Sequence, residues 1–238
     1  MPTSTLQRRS SAADACTRLT LWRGQPNTAM EPTIGAQRIR FYEGFRSRRL
    51  RLIAKPLSGQ STMKEHPILE GPSSNRRDEF LAAVSRSRKL HWHWARPPRT
   101  TKEFEDSLKR LHSGPHLAYW VCTEAGELAG VININEIVRG LFCSGYLGYY
   151  AFVPHDGRGY MKKGLRAVLE EAFRRQRLHR LEVNIQPDNE ASRQLVQRCG
   201  FRLEGFSPRY LKLAGRWRDH ERWAITVEEW KAKARKAG

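Results

Sequence analysis

Apolar positions first fall into a regular period near residue 78. Over 78–90, Phe80, Leu81, Val84 and Leu90 lie at near-helical spacing behind the acids Asp78 and Glu79, which predicts a helix. Pro97 and Pro98 prevent its continuation. Thr100 or Thr101 then caps a second helix, with Glu103 in its first turn and Phe104, Leu108 and Leu111 as its stripe; Gly114-Pro115 ends it. From residue 117 the period changes to two. Strands are expected over 117–123, 128–138 and 144–153, with turns at 124–127 and at Arg139-Gly140. A glycine-bearing turn leads into an amphipathic helix over 160–176. A strand over 180–185 follows, then a helix from Asn189 to Cys199 that Gly200 closes. Two strands, 205–213 and 216–227, complete the pattern. Helices and strands interleaved in this way predict one mixed α/β sheet rather than a bundle or a repeat array.

Residues 1–65 share none of this periodicity. They hold 12 Lys and Arg against 4 Asp and Glu, with scattered Gly and Pro. A basic arm, a targeting segment and untranslated upstream sequence all fit that composition. The expected division is a poorly ordered, dispensable extension over 1–65, a domain over 66–232, and a basic tail over 233–238. Met63 would make a sensible start for the domain.

Charge adds the next constraint. The chain carries 43 Lys and Arg against 24 Asp and Glu, a net +19. That field favours polyanions such as RNA, ribosomes or a polyphosphate cofactor, without specifying a fold. Cys16, Cys122, Cys143 and Cys199 match no zinc spacing, so reduced thiols in the cytoplasm are expected. No apolar run approaches the ~20 residues of a membrane helix, so no membrane partner is expected. His91 and His93 stand two apart with no third ligand cluster, so no metal is expected; Trp92 and Trp94 fit the wall of a cleft or the core.

The candidate chemistry centres on 153–165. A strand ends, Gly157 and Gly159 follow, and a helix begins. Glycines allow close backbone approach, and the first amides of the helix point at one place, so the turn suits an anion. Lys162 and Lys163 add positive charge. No GK[ST] follows, and the third glycine of a dinucleotide fingerprint is missing.

V-P-x-x-G-x-G-Y-M before a helix, then P-x-N-x-x-S and CGF, resembles the GNAT acetyltransferase superfamily. More narrowly it is similar to the RimJ/RimL group of ribosomal-protein-alanine N-acetyltransferases. The resemblance rests on GYLGY (145–149), GRGYM (157–161), QPDNEASRQLVQRCGF (186–201) and GRWRDHERWA (215–224), and it covers roughly 66–230. It implies a mainly antiparallel sheet flanked by helices, with two splayed strands holding acetyl-CoA as co-substrate. Gly157, Arg158, Gly159, Tyr160 and Met161 would hold the pyrophosphate, an amide around Tyr150 to Phe152 would polarise the thioester, and Phe152 and Val153 would be among the residues that bind the co-substrate. Asn189 would meet the pantetheine, although it can equally cap its helix. Ser192 would be the acid, with Tyr210 as an alternative, and the acceptor would be the N-terminal amine of a ribosomal protein near rRNA.

Two positions depart from the family pattern. Asp156 stands where Gln or Arg is usual, and Val153 replaces a proposed carboxylate base. Glu136 is the nearest acidic substitute, unless it is a solvent-facing strand residue. Asp219 fits an ion pair with an arginine, and His220 has a titration range suited to proton transfer. A small-molecule amine as acceptor and a non-catalytic module binding acyl-CoA or RNA remain alternatives.

Overall fold

A computed structural model of the chain describes residues 68–92 and 94–236. The extension assigned to 1–65 and His93 lie outside the described residues. The elements run β1 (Ile68–Glu70), α1 (Arg77–Arg86), α2 (Arg88–His91), α3 (Thr101–Ser113), β2 (Leu117–Cys122), β3 (Leu128–Val138), β4 (Ser144–Ala151), α4 (Tyr160–Glu170), β5 (Arg180–Ile185), α5 (Glu190–Cys199), β6 (Arg202–Leu213), β7 (Arg216–Thr226) and α6 (Val227–Lys236). The strands form one sheet in the order β1-β2-β3-β4-β5-β7-β6. Every neighbouring pair is antiparallel except β4 and β5.

Alternation along the strands gives the sheet two buried faces. Ile132 and Ile134 of β3, Leu147 of β4, Val183 and Ile185 of β5 and Trp223 of β7 face one side, where Leu165 and Val168 of α4 and Val196 of α5 pack onto them. Val131 and Phe152 face the other side and meet Phe80 of α1 and Phe104 of α3 around Trp120. Among the described residues that buried layer takes in β2, β3 and the end of β4 but no residue of β5, β7 or β6, so that part of the face is the open one.

Helix ends match their local chemistry. Thr100 Oγ1 accepts from Glu103 N–H while the Glu103 carboxylate accepts from Thr100 N–H, a reciprocal cap. Gly200 takes a left-handed conformation after α5 (φ 101°).

Several elements differ from the sequence expectation, among them the helix expected over 78–90, which breaks at Ser87 into α1 and α2. β1 was not expected: three residues are too few to display a period, and only pairing with β2 defines them. The helix over 160–176 is α-helical to Glu170 and then widens into a π-helical turn, Glu171–Arg175. The expected basic tail from 233 is instead part of α6. That helix begins at a second reciprocal cap, with Thr226 N–H donating to Glu229 Oε2 and Glu229 N–H to Thr226 Oγ1. Trp230 anchors it against Phe173, and Lys233 Nζ donates to Gly200 O at 2.6 Å.

Candidate active site

β4 and β5 pair in parallel register from Ser144↔Arg180 to Leu147↔Val183, and no pairing continues beyond. Past that point the two strands part. A cavity of about 990 Å³ fills the opening and reaches from the Gly157–Lys162 turn to the β6–β7 hairpin.

The amides along the opening follow from register. Phe152 N–H donates to Ala129 O across β3 at 2.8 Å. With Val131 opposite Tyr150 and Gly130 opposite Ala151, alternation turns the Tyr150 amide toward β3 as well. The amides of Tyr149 and Ala151 therefore point away from β3, toward the gap that β5 leaves. This corrects the expectation for Phe152 and Val153. The Phe152 side chain is fully buried in the α1–α3 layer, its amide is bonded within the sheet, and Val153 N–H donates to Ser87 Oγ at 3.0 Å. Neither residue lines the cavity.

The end of β4 is held from above by two buried side chains. Ser87, at the break between α1 and α2, accepts from Val153 N–H and donates to Ala83 O at 2.7 Å. His91 Nε2 lies 2.7 Å from Ala151 O. A carbonyl only accepts, so Nε2 carries the proton and Nδ1 does not. Burial pushes the His91 imidazole below its ordinary value, and Nδ1 is buried without a partner. A serine inside a helical pattern carries no local mark of this contact, and neither does His91 in the HWHW run.

At the turn, Gly157 (φ 72°) and Gly159 (φ 85°) are left-handed, a conformation glycine takes without strain. A Cβ at either position would meet no heavy atom within 4 Å. Gly159 precedes the first turn of the 11-residue α4, which itself contains no acid to offset the positive end of the helix. Gly157, Gly159, Met161 and Lys162 line the cavity. Arg158 is exposed and does not line it. Tyr160 packs edge-on to His155 at 5.8 Å and against the larger core, so its contribution there is its backbone amide. Asp156 lines the same end, so a carboxylate stands beside the glycine turn.

On the α5 side, Asn189 Oδ1 accepts from Ser192 N–H at 3.1 Å, so Asn189 caps the helix while also lining the cavity. Ser192 Oγ is 2.6 Å from Tyr149 Oη. Burial pushes the Tyr149 phenol well above its ordinary range, so it stays protonated. Nothing local distinguishes Tyr149 from its neighbours in the GYLGY run.

On the open face, Glu136 sits at a bulge in β3 with φ 49°, its amide donating to His116 Nδ1 at 3.2 Å; its exposed side chain lines the cavity. Tyr210 and His220 line the opposite wall, their ring centroids 6.3 Å apart. Among the described residues no arginine ion pair is seen for Asp219; its Oδ1 accepts from Arg209 N–H at 2.7 Å. Among the described residues, no group of three or more His, Cys, Asp or Glu is placed to hold a metal ion, and no helix is long and apolar enough to cross a membrane.

Comparison with known proteins gives a consistent picture. The profile of the acetyltransferase (GNAT) domain matches residues 68–202, more than half of the chain. The [ribosomal protein uS5]-alanine N-acetyltransferase of Escherichia coli is 39% identical over 104 residues, 44% of this chain and 54% of that relative. This chain thus spans about half the length of that curated relative. The probable N-acetyltransferase YjcK of Bacillus subtilis is 30% identical over 125 residues, 52% of this chain and 69% of that relative. Among solved structures, Mycobacterium smegmatis RimJ in complex with CoA-disulfide superposes with a TM-score of 0.64 at 25% identity, covering 68% of this chain and 83% of that one. Spermidine N-acetyltransferase from Vibrio cholerae, in complex with CoA and spermine, gives 0.61 at 20% identity over 70% of this chain and 98% of that one; at that identity it speaks for the fold alone.

Proposed function

The chain belongs to the acetyltransferase (GNAT) domain family, and from that premise we propose that it transfers the acetyl group of acetyl-CoA to the N-terminal α-amine of a polypeptide, with an alanine-initiated ribosomal protein as acceptor. The turn and cavity fit the co-substrate. Two left-handed glycines leave the amides of the turn accessible, Lys162 stands beside them, and the β4–β5 gap continues from that point. In this reading the opening amides of α4 hold the pyrophosphate and the pantetheine lies along the gap. The Ala151 or Tyr149 amide donates to the thioester oxygen as negative charge develops on it. The acceptor enters from the open face, and the amine attacks directly. The Tyr149–Ser192 hydroxyl pair then returns a proton to the departing thiolate.

The observation that carries the choice of acceptor is the makeup of the cavity wall. Trp94, Tyr146, Tyr150, Tyr210, Leu211 and Leu213 contribute apolar surface to its wall, and among the described residues its lining carries two carboxylates, Glu136 and Asp156, the latter at the phosphate turn. A polyamine, with several positive charges, needs several carboxylates along its length. A peptide with one α-amine needs one polar point in an apolar groove. The uS5-alanine and ribosomal-protein-serine acetyltransferases among the relatives support the same class. The net charge of +19 suits an encounter close to rRNA in the cytoplasm.

The test is thiol release by the full chain from acetyl-CoA with three acceptors: an alanine-initiated ribosomal peptide, the same peptide with a blocked amine, and spermidine. Turnover on the free peptide alone is expected. Turnover on spermidine alone would overturn the acceptor class, and binding of acetyl-CoA without turnover on any acceptor would favour a non-catalytic acyl-CoA-binding module.

A further inference from the structure

Direct attack by an α-amine requires a proton acceptor, because the amine is an ammonium for much of the neutral range. Its ordinary pKa is about 7.7–8.0. Val153 has no acidic or basic group, and Glu136 is exposed on a bulge. The open face offers a third group, arranged by an irregularity in the β6–β7 hairpin.

β6 and β7 are in register at Ser207↔His220 and again at Leu211↔Arg218, so β6 spends four residues where β7 spends two. The surplus forms a bulge. Arg209 takes φ 48° there, and its amide is bound by Asp219 Oδ1 at 2.7 Å. The bulge brings Tyr210 to the cavity wall beside His220. His220 is 2% exposed yet lines the cavity. Its Nδ1 lies 3.0 Å from Arg218 O. Because a carbonyl can only accept, Nδ1 bears the hydrogen and Nε2 is left as the ring's basic lone pair.

We propose that His220 Nε2 takes the proton from the acceptor's α-ammonium, directly or through one water, and that Asp219 is a positioning residue that fixes the bulge around it. The inference rests on the acetyl-transfer reading above. The proton count closes. R–NH3+ gives one proton to Nε2, and the neutral amine forms the C–N bond at the thioester carbon. As the C–S bond breaks, the second proton leaves nitrogen and reaches the thiolate through the Tyr149–Ser192 pair. The imidazolium then releases its proton to water, leaving the acetylated amide, CoA thiol and H+.

The surroundings favour a neutral imidazole. Burial lowers its affinity for a proton, while the Arg218 carbonyl and the Asp219 carboxylate raise it; the balance is below the ordinary 6.5. Tyr210 from β6 packs against it, and Glu136 from β3, Tyr146 and Tyr150 from β4 and His91 from α2 are further titratable groups lining the cavity. Glu221, the next residue of β7, is engaged with Arg193 and Trp223. At pH 7 the ring is therefore ready to accept a proton, and it loses that capacity as pH falls through its lowered value.

Two full-chain variants test this. His220→Asn keeps a donor at the Nδ1 position and removes Nε2, while His220→Gln keeps most of the volume and cannot take a proton. Both are measured for kcat against pH and for acetyl-CoA affinity by calorimetry. The expected result is a kcat lowered about 10²-fold at pH 7, with the acid limb displaced toward the amine's own pKa, unchanged acetyl-CoA affinity, and partial recovery on adding imidazole. A variant that keeps the wild-type kcat and acid limb would overturn the inference. So would a loss equal at all pH values and accompanied by weaker acetyl-CoA binding, because that is the signature of a structural role. If the wild type uses spermidine and not the peptide, the acceptor class falls, and the same pH comparison on spermidine still decides the role of His220.

Discussion

Ser192→Ala and Tyr149→Phe delete the two halves of one 2.6 Å hydrogen bond, yet their costs should differ. Tyr149 packs against the larger core, and burial already opposes its ionisation. Ser192→Ala leaves that phenol desolvated and unpaired, a cost of about 1–3 kcal/mol. Tyr149→Phe leaves Ser192 Oγ beside the cavity, where water can reach it, so its cost is about 1 kcal/mol. The double variant replaces both partners with apolar groups and should cost no more than the worse single. A urea-unfolding cycle should therefore give a coupling energy of about 1 kcal/mol or more. Turnover follows a related logic. A thiol with an ordinary pKa of about 8.5 leaves as a thiolate without much assistance. Loss of its proton donor should then lower kcat by roughly tenfold, at the weak end of what acid catalysis supplies. Because the two hydroxyls form one relay, each single and the double should lose similar amounts in the thiol-release assay. Stabilities additive within about 0.3–0.5 kcal/mol would refute the coupling. A double whose kcat loss is the product of the two singles would refute the relay.

Two further outcomes test the surroundings. Asp156→Asn removes a like charge from the phosphate turn and should tighten acetyl-CoA binding up to about fivefold at low salt, with the gain shrinking as salt rises; titration calorimetry at two ionic strengths measures it. His91 is held neutral by burial, so its folded-state value lies below the unfolded 6.5 and the unfolded chain binds more protons as pH falls through that window. Urea midpoints should therefore drop between pH 7.5 and 5.5, and His91→Gln, which can still donate to Ala151 O, should show a smaller drop.

The fold was largely legible because its elements announce themselves over short spans. The capping box at Thr100 and Glu103, the alternation of β3 and β5, and Gly200 after α5 each act within a few residues. The start of α6 carried a similar signal in Thr226 and Glu229, hidden by the strand-like run before it. The glycine turn was legible for the same reason, since φ near 72° and 85° at Gly157 and Gly159 is a local demand.

The site's working contacts were not legible, because they join distant parts of the chain. Tyr149 and Ser192 are 43 residues apart, and His91 and Ala151 are 60 apart. Neither pair has a period or a spacing that marks it. Which amide between Tyr150 and Phe152 points into the gap is not legible locally, because register decides which alternate N–H groups face β3. The β6–β7 bulge that brings Tyr210 beside His220 depends on two strands miscounting against each other, which neither reveals alone. The sequence by itself thus determined the order of the helices and strands between α1 and β7, most of their buried faces and the glycine-bearing turn before α4, all set by interactions within a few residues. Only tertiary structure decided where β4 and β5 part, which amides point into the gap, and which hydroxyls and imidazoles surround it, because those follow from pairing between segments.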